Sequence, residues 1–135
     1  QEKLVENLKL YKKGLLQKVF SNNHGWNHVE LYTVCDVRDG THNSPKYIEN
    51  GYPLVTSKNL SKNGQLDFSN ISYISQKDFD EINKRSKVNV GDILFGMIGT
   101  FGNPVLLTKD EFAIKNVALI KEKTKLKNNE YEQTK

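Results

Sequence analysis

The chain has 135 residues, a formal net charge of +4 and 36% hydrophobic residues, which suffices for one domain with one core but not for two. It contains no apolar run of membrane-spanning length and no charged-then-apolar leader, so we predict neither a transmembrane helix nor a signal peptide and expect a cytoplasmic protein. A single cysteine, Cys35, cannot form an internal disulfide, which fits a reducing compartment.

The basic residues are concentrated towards the two ends of the sequence. In residues 1–20, five Lys against two Glu give +3, and in residues 121–135, five Lys against three Glu give +2, which leaves −1 for residues 21–120. General attraction to phosphates is therefore a poor explanation for nucleic-acid binding by the middle of the chain, and a local basic face would be needed. Since the only methionine is Met97, we expect the chain to be a piece of a longer or processed protein.

The first predicted element is an amphipathic helix over residues 2–20, whose apolar residues recur at spacings of four and three. Residues 21–25 favour caps and turns and end it. The apolar positions on the main face are Leu4, Leu8, Tyr11, Leu15 and Val19.

A period-two pattern next predicts a strand over residues 29–37, with Cys35 packed in the core. A long loop over residues 39–51 precedes a short strand at 52–56. The dipeptide Asn63-Gly64 predicts a tight turn that closes a hairpin with residues 65–68.

The remaining elements are one helix and three strands. Ser75 and Asp78 form a capping-box pattern, which predicts a helix that ends near Arg85 and has a small apolar face of Phe79 and Ile82. Strands are predicted at about 92–98, 104–108 and 112–121. The predicted fold class is α+β: a β-rich domain over residues 22–121 with a small inserted helix, preceded by the amphipathic helix of residues 1–21. Residues 122–135 are predicted to be a linker or the start of a further helix.

Four segments in order carry a family resemblance. They are Asp-Gly-Thr-His-Asn-Ser-Pro at 39–45, Gly-Tyr-Pro-Leu-Val-Thr-Ser-Lys-Asn-Leu at 51–60, the glycine-punctuated 90–105, and Phe-Ala-Ile-Lys-Asn-Val-Ala-Leu-Ile at 112–120. Over residues 24–121 the chain resembles a target recognition domain of the specificity subunit of type I restriction-modification systems. Residues 6–21 resemble the end of the conserved spacer helix that precedes the second recognition domain of such subunits.

The resemblance implies a non-catalytic function. The domain would recognise one half of a bipartite site in double-stranded DNA and direct partner methyltransferase and restriction/translocase subunits. S-adenosylmethionine would bind the methyltransferase subunit, and no cofactor or metal is expected on this chain. Two alternatives stay open: a β-rich protein–protein interaction module, and the recognition domain of a single-chain restriction-methylation enzyme.

Residues that suit DNA contact are basic or carry amide, hydroxyl or imidazole groups in polar loops, because these groups bond phosphates and base edges. The predicted DNA-binding residues are Arg38, Thr41, His42, Lys46, Lys58, Asn59, Lys62, Asn63, Arg85, Lys87, Thr100 and Asn103. The spacer-helix residues Leu4, Leu8, Tyr11, Leu15 and Val19 are assigned instead to intramolecular or methyltransferase contacts.

Catalytic patterns are weak in this sequence. Cys35 falls on an apolar strand face, and His24, His28 and His42 lack the spacing of a zinc-hydrolase pair. The glycines at 96, 99 and 102 lead into another strand rather than a helix, so we predict turns there rather than a nucleotide site.

Overall fold

The computed structural model describes residues 1–21, 25–99 and 102–123. This part of the chain forms three helices, α1 (Glu2–Ser21), α2 (Leu31–Val34) and α3 (Gln76–Ser86), and eight strands. The strands are β1 (Cys35–Asp39), β2 (Tyr47–Ile48), β3 (Tyr52–Val55), β4 (Ser72–Ile74), β5 (Ile93–Gly96), β6 (Gly102–Leu106), β7 (Ala113–Ile114) and β8 (Val117–Glu122).

The strands form two four-stranded sheets. The first has the order β1-β8-β5-β6 and is antiparallel throughout. The second has the order β2-β4-β3-β7, in which only the β3–β7 pair is parallel. Helices and largely antiparallel sheets thus confirm the predicted α+β class.

The chain passes from the second sheet to the first at Lys115 and Asn116. We predicted one strand over residues 112–121, but it is broken here, because Asn116 has φ 56°, a left-handed conformation that asparagine tolerates better than most residues. The Asn116 amide donates to the carbonyl of Thr41 at 3.2 Å, and the Thr41 amide donates to the carbonyl of Ile114 at 3.1 Å. Gly40 permits this approach, since a Cβ there would lie 2.7 Å from the Ile114 carbonyl oxygen.

The core has two parts on opposite faces of the second sheet. Successive side chains of a strand point to opposite faces, so Leu54 belongs to one cluster and its neighbour Val55 to the other. Val55 joins the larger cluster, which also contains Leu94 and Leu119 of the first sheet. Leu54 joins the smaller cluster, against which Phe79 and Ile82 of α3 are packed.

Helix α3 follows the sequence prediction closely. The Ser75 hydroxyl accepts from the Asp78 backbone amide at 3.1 Å and caps the helix. Phe79 stacks on Tyr52 of β3 with ring centroids 4.1 Å apart. The helix is therefore held at its start by a local hydrogen bond and along its length by an aromatic contact.

The strand predicted over residues 29–37 is wrong in its first half. Thr33 donates from both its amide (2.9 Å) and its hydroxyl (2.6 Å) to the carbonyl of Glu30, and these local bonds hold a helical turn where alternation alone predicted a strand. The strand that does form is β1, which lies at the edge of the first sheet and pairs, among the described strands, with β8 alone. Cys35 is consequently half-buried rather than packed in the core.

A buried ion pair joins β8 to the turn before β5. The Lys121 ammonium pairs with the Asp92 carboxylate, and it also donates to the Lys87 carbonyl at 3.1 Å and to Asn89 Oδ1 at 2.9 Å. Asp92 is only 7% exposed. Both charges have several partners, so the pair stabilises this corner of the first sheet without leaving a charge uncompensated.

Helix α1 confirms the helix predicted over residues 2–20, and none of its residues is buried. Among the described residues, none of the helices is both long and apolar enough to cross a membrane. At the other end of the domain, Glu122 belongs to β8, whereas the linker or helix predicted beyond it falls mostly on residues 124–135, outside the described residues. His24 also lies outside them.

Candidate nucleic-acid interface

Three predicted DNA-binding residues, Arg38, His42 and Arg85, come together where β1 ends beside α3. Arg38 donates to Asp36 Oδ2 through Nε (2.9 Å) and Nη2 (2.6 Å), and through Nη1 to the Arg85 carbonyl at 3.1 Å. The Arg85 guanidinium pairs with Asp39, whose other carboxylate oxygen lies 2.8 Å from His42 Nε2. We call Asp36, Arg38, Asp39, His42 and Arg85 the ion-pair network.

The charges of the ion-pair network are largely compensated within it. The hydrogen bond from Arg38 lowers the pKa of the Asp36 carboxyl below its usual value, and the same bond raises the pKa of Arg38. Two guanidinium groups thus face two carboxylates. A DNA phosphate would compete with a carboxylate for either arginine, which weakens the case for Arg38 and Arg85 as phosphate contacts.

A groove beside the ion-pair network also contains side chains of both charges. It has a volume of about 500 Å³ and contains Thr41 and Arg85, together with the carboxylates Asp78 and Glu81. Lys84 on its wall donates to Glu81, and this hydrogen bond raises the pKa of Lys84. Both cations of this groove, Lys84 and Arg85, are thus already paired with carboxylates of the same domain.

Asn59 is buried and is not available to DNA. Its Oδ1 accepts from the amide (2.9 Å) and the hydroxyl (3.0 Å) of Thr56, and its Nδ2 donates to the Asp67 carbonyl at 2.9 Å. The residue is 6% exposed. The amide that we predicted to contact DNA is used to fix the 3-10 turn Ser57–Asn59, and we remove Asn59 from the candidate interface.

The neighbouring side chain, that of Lys58, faces solvent rather than the interior. Lys58 is exposed, and no described carboxylate pairs with its ammonium group. It lines a cleft of about 520 Å³ between the 3-10 turn, β4 and the crossover at Asn116. We call this cleft the polar cleft.

The polar cleft is lined mainly by uncharged hydrogen-bonding groups. Its described lining has one cation, Lys58, and no carboxylate. The described lining residues are Tyr47, Leu54, Thr56, Ser57, Lys58, Asn59, Asn70, Ser72, Ile98 and Asn116. Amides and hydroxyls bond base edges and phosphates, so this lining suits a nucleic acid better than the compensated charges of the network do.

Two amides of the polar cleft were missed in the sequence. Asn70 is exposed in the turn before β4, and its side-chain amide bonds no described residue. Asn116 lies at the crossover, with its Oδ1 2.9 Å from His42 Nδ1. A signal was present for Asn116, because Lys115-Asn116 interrupts an otherwise apolar run.

His42 joins the polar cleft to the ion-pair network. Its two ring nitrogens face oxygen atoms, Oδ1 of Asn116 and Oδ2 of Asp39. A protonated ring donates to both at once. Thr41 beside it accepts from the Asn43 amide at 3.2 Å and serves the local loop.

The tight turn at Asn63-Gly64 is confirmed, although only a single bridge, Leu60 to Leu66, forms in place of hairpin strands. Lys62 and Asn63 are exposed in this turn. Asn103 supports it by donating to the Leu60 carbonyl at 3.2 Å. Asn103 therefore positions a candidate loop, and its amide donor is already bonded.

The other predicted residues lie apart from the polar cleft or outside the described chain. Lys46 is exposed immediately before Tyr47 of β2, and Lys87 is exposed after α3, where its carbonyl accepts from Lys121. Thr100 lies outside the described residues. On α1, the five predicted contact residues are exposed: Leu4, Leu8, Tyr11, Leu15 and Val19.

The geometry of the described residues offers no metal centre. No cluster of three or more His, Cys, Asp or Glu residues that could hold a metal ion occurs among them.

No known family model matches the chain, and no curated protein matches it. The candidate interface is therefore assigned from the positions and contacts of its side chains in this structure.

Proposed function

We propose that this chain is a sequence-specific DNA-binding domain that recognises one half of a bipartite target through its polar cleft. One observation carries the proposal: the same cleft is lined by Lys58, which pairs with no described carboxylate, and by Asn70, whose side-chain amide bonds no described residue. The lysine suits a phosphate and the amide suits a base edge. The resemblance of residues 24–121 to specificity-subunit recognition domains supports the same function.

In this proposal the chain has no catalytic role. Methyl transfer and cleavage belong to partner methyltransferase and restriction/translocase subunits, and S-adenosylmethionine binds the methyltransferase. In this proposal such a complex acts on DNA in the cytoplasm. Helix α1 is the surface we assign to contacts with other parts of that complex.

Selection from a random duplex library tests the proposal. The full chain is incubated at low and at moderate salt with duplexes that carry a randomised stretch, and the bound fraction is sequenced over several rounds. Enrichment of a short motif of a few base pairs is expected. Retention without enrichment would show non-specific binding only and would reject sequence recognition.

A protein-interaction module is the second candidate, and α1 is the observation that favours it. Its exposed apolar side chains include Leu4 at 63%, Tyr11 at 66% and Phe20 at 61%. Exposed apolar surface of this extent is typical of protein contacts. Absence of duplex binding at low salt would favour this candidate over DNA recognition.

A further inference from the structure

We infer that the polar cleft recognises an adenine, with Asn70 as the residue that contacts the base edge. The inference rests on the proposed function and adds the identity of the base. Side chains that form two hydrogen bonds to one base are selective for it: arginine or lysine pairs with guanine, and asparagine or glutamine pairs with adenine.

The arginines of this chain are committed elsewhere. The sequence has two, Arg38 and Arg85. Arg38 makes two hydrogen bonds to Asp36, and Arg85 pairs with Asp39. Both arginines are thus bonded within the ion-pair network, and neither lines the polar cleft. Of the residue types that pair with guanine, the described lining of the cleft contains only Lys58, which the proposed function assigns to a phosphate.

The side-chain amide of Asn70, in contrast to the two arginines, bonds no described residue. Asn59 in the same cleft uses both ends of its amide within the fold, and Asn116 shares its oxygen with His42. Asn70 is exposed and retains an acceptor and a donor side by side. These groups match the N6 donor and the N7 acceptor of adenine in the major groove.

An apolar contact in the same cleft suits the partner base. Ile98 lines the polar cleft and is 52% exposed. The major-groove edge of thymine carries a methyl group, which favours apolar side chains. Lys58 supplies the phosphate contact. The cleft therefore contains groups for both halves of an A·T pair and for the backbone.

The test uses the full chain and the duplexes enriched from the random library. Each adenine of the enriched motif is replaced in turn by 7-deazaadenine, which keeps base pairing but lacks the N7 acceptor. At one position we expect about a tenfold loss of affinity. The Asn70→Ala variant should bind the unmodified duplex about tenfold more weakly and should be insensitive to the replacement. The control Asn50→Ala alters an exposed asparagine that does not line the polar cleft and should keep the sensitivity of the parent chain. Asn70→Asp, which replaces the amide donor by an acceptor, should behave like Asn70→Ala, so a folding defect in one variant does not decide the result.

The outcomes separate the inference from the proposed function. No enriched motif would overturn both. A motif without an A·T pair, or one indifferent to 7-deazaadenine at every adenine, would overturn the adenine inference and leave sequence recognition standing. Full sensitivity retained in Asn70→Ala would show that another residue contacts the adenine, which also overturns the assignment.

Discussion

The polar cleft and the ion-pair network contain similar polar residue types, but their side chains differ in what they already bond. In the network, the guanidinium groups of Arg38 and Arg85 are bonded to carboxylates of the same domain. In the cleft, by contrast, Lys58 pairs with no carboxylate and the Asn70 amide forms no hydrogen bond within the part of the chain that the structure describes. An exposed charge is thus not necessarily an available one. DNA affinity should therefore depend on the cleft and depend little on the network.

The largest effect is expected from Asn59, the buried amide beneath the cleft. Asn59→Ala removes the partner of the Thr56 amide and of the Asp67 carbonyl, and leaving buried polar groups unsatisfied should lower the free energy of unfolding by about 2–4 kcal/mol. Urea unfolding measures this. Asn63→Ala, which alters an exposed amide, is the matched control and should change stability by about 0.5 kcal/mol or less. A stable Asn59→Ala variant that has lost DNA binding would make Asn59 a DNA contact and contradict its structural assignment.

The second-largest effect, on DNA affinity, is expected from replacing Lys58, which pairs with no described carboxylate. Lys58→Gln should weaken binding to all duplexes about three- to tenfold and reduce the slope of log affinity against log salt by about 1, because one phosphate contact is lost. Lys84→Gln is the control, since the Lys84 ammonium is already bonded to Glu81. Fluorescence anisotropy across a salt series gives both quantities. Equal losses in the two variants would mean that the availability of a charge does not decide binding.

Replacing a carboxylate of the ion-pair network should have a smaller effect, and this change should strengthen DNA binding. Asp39→Asn removes the carboxylate that pairs with Arg85 and contacts His42, and it should strengthen binding to any duplex by about two- to fivefold at low salt, because a cation is released and a negative charge is lost. Anisotropy at low salt measures the change, and the gain should disappear at high salt. Weaker binding would show that the network positions residues that DNA requires.

The smallest expected effect concerns pH. Because Arg38 lowers the pKa of Asp36 in the folded chain, unfolding takes up a proton as the pH falls. The contribution of Asp36 is therefore fully present above about pH 4, the ordinary Asp value, and is lost as the pH falls through the lowered folded value. Urea unfolding at pH 5 and pH 3 should show a smaller loss of stability in Asp36→Asn than in the parent chain. An identical pH dependence in both would contradict the Asp36–Arg38 bond.

The parts of the fold that depend on neighbouring residues could be predicted from the sequence. The cap of α3 joins residues three apart, and the Asn63-Gly64 turn is equally local. The helical turn at Thr33 is local too, but its hydroxyl bond competes with a period-two pattern that predicted a strand. Local structure could thus be predicted where the sequence carried a single pattern, and the prediction was wrong where two patterns competed.

The state of each candidate side chain could not be predicted in the same way. Arg85 and Asp39 are 46 residues apart, and Asn116 and His42 are 74 apart, so only the folded chain brings them together. Asn59 has a polar-loop sequence on both sides, but its partners include the Asp67 carbonyl eight residues away. Residue type therefore indicated which side chains could contact DNA, whereas the tertiary structure indicates which of these groups are still free.

The most direct test of the difference between the two regions is an NMR titration of the ¹⁵N-labelled full chain with an enriched duplex, following side-chain resonances. We expect the Asn70 amide to shift strongly and the guanidinium signals of Arg38 and Arg85 to stay close to their free positions. Strong shifts of both guanidinium groups with an unchanged Asn70 amide would place DNA on the ion-pair network and contradict recognition through the polar cleft.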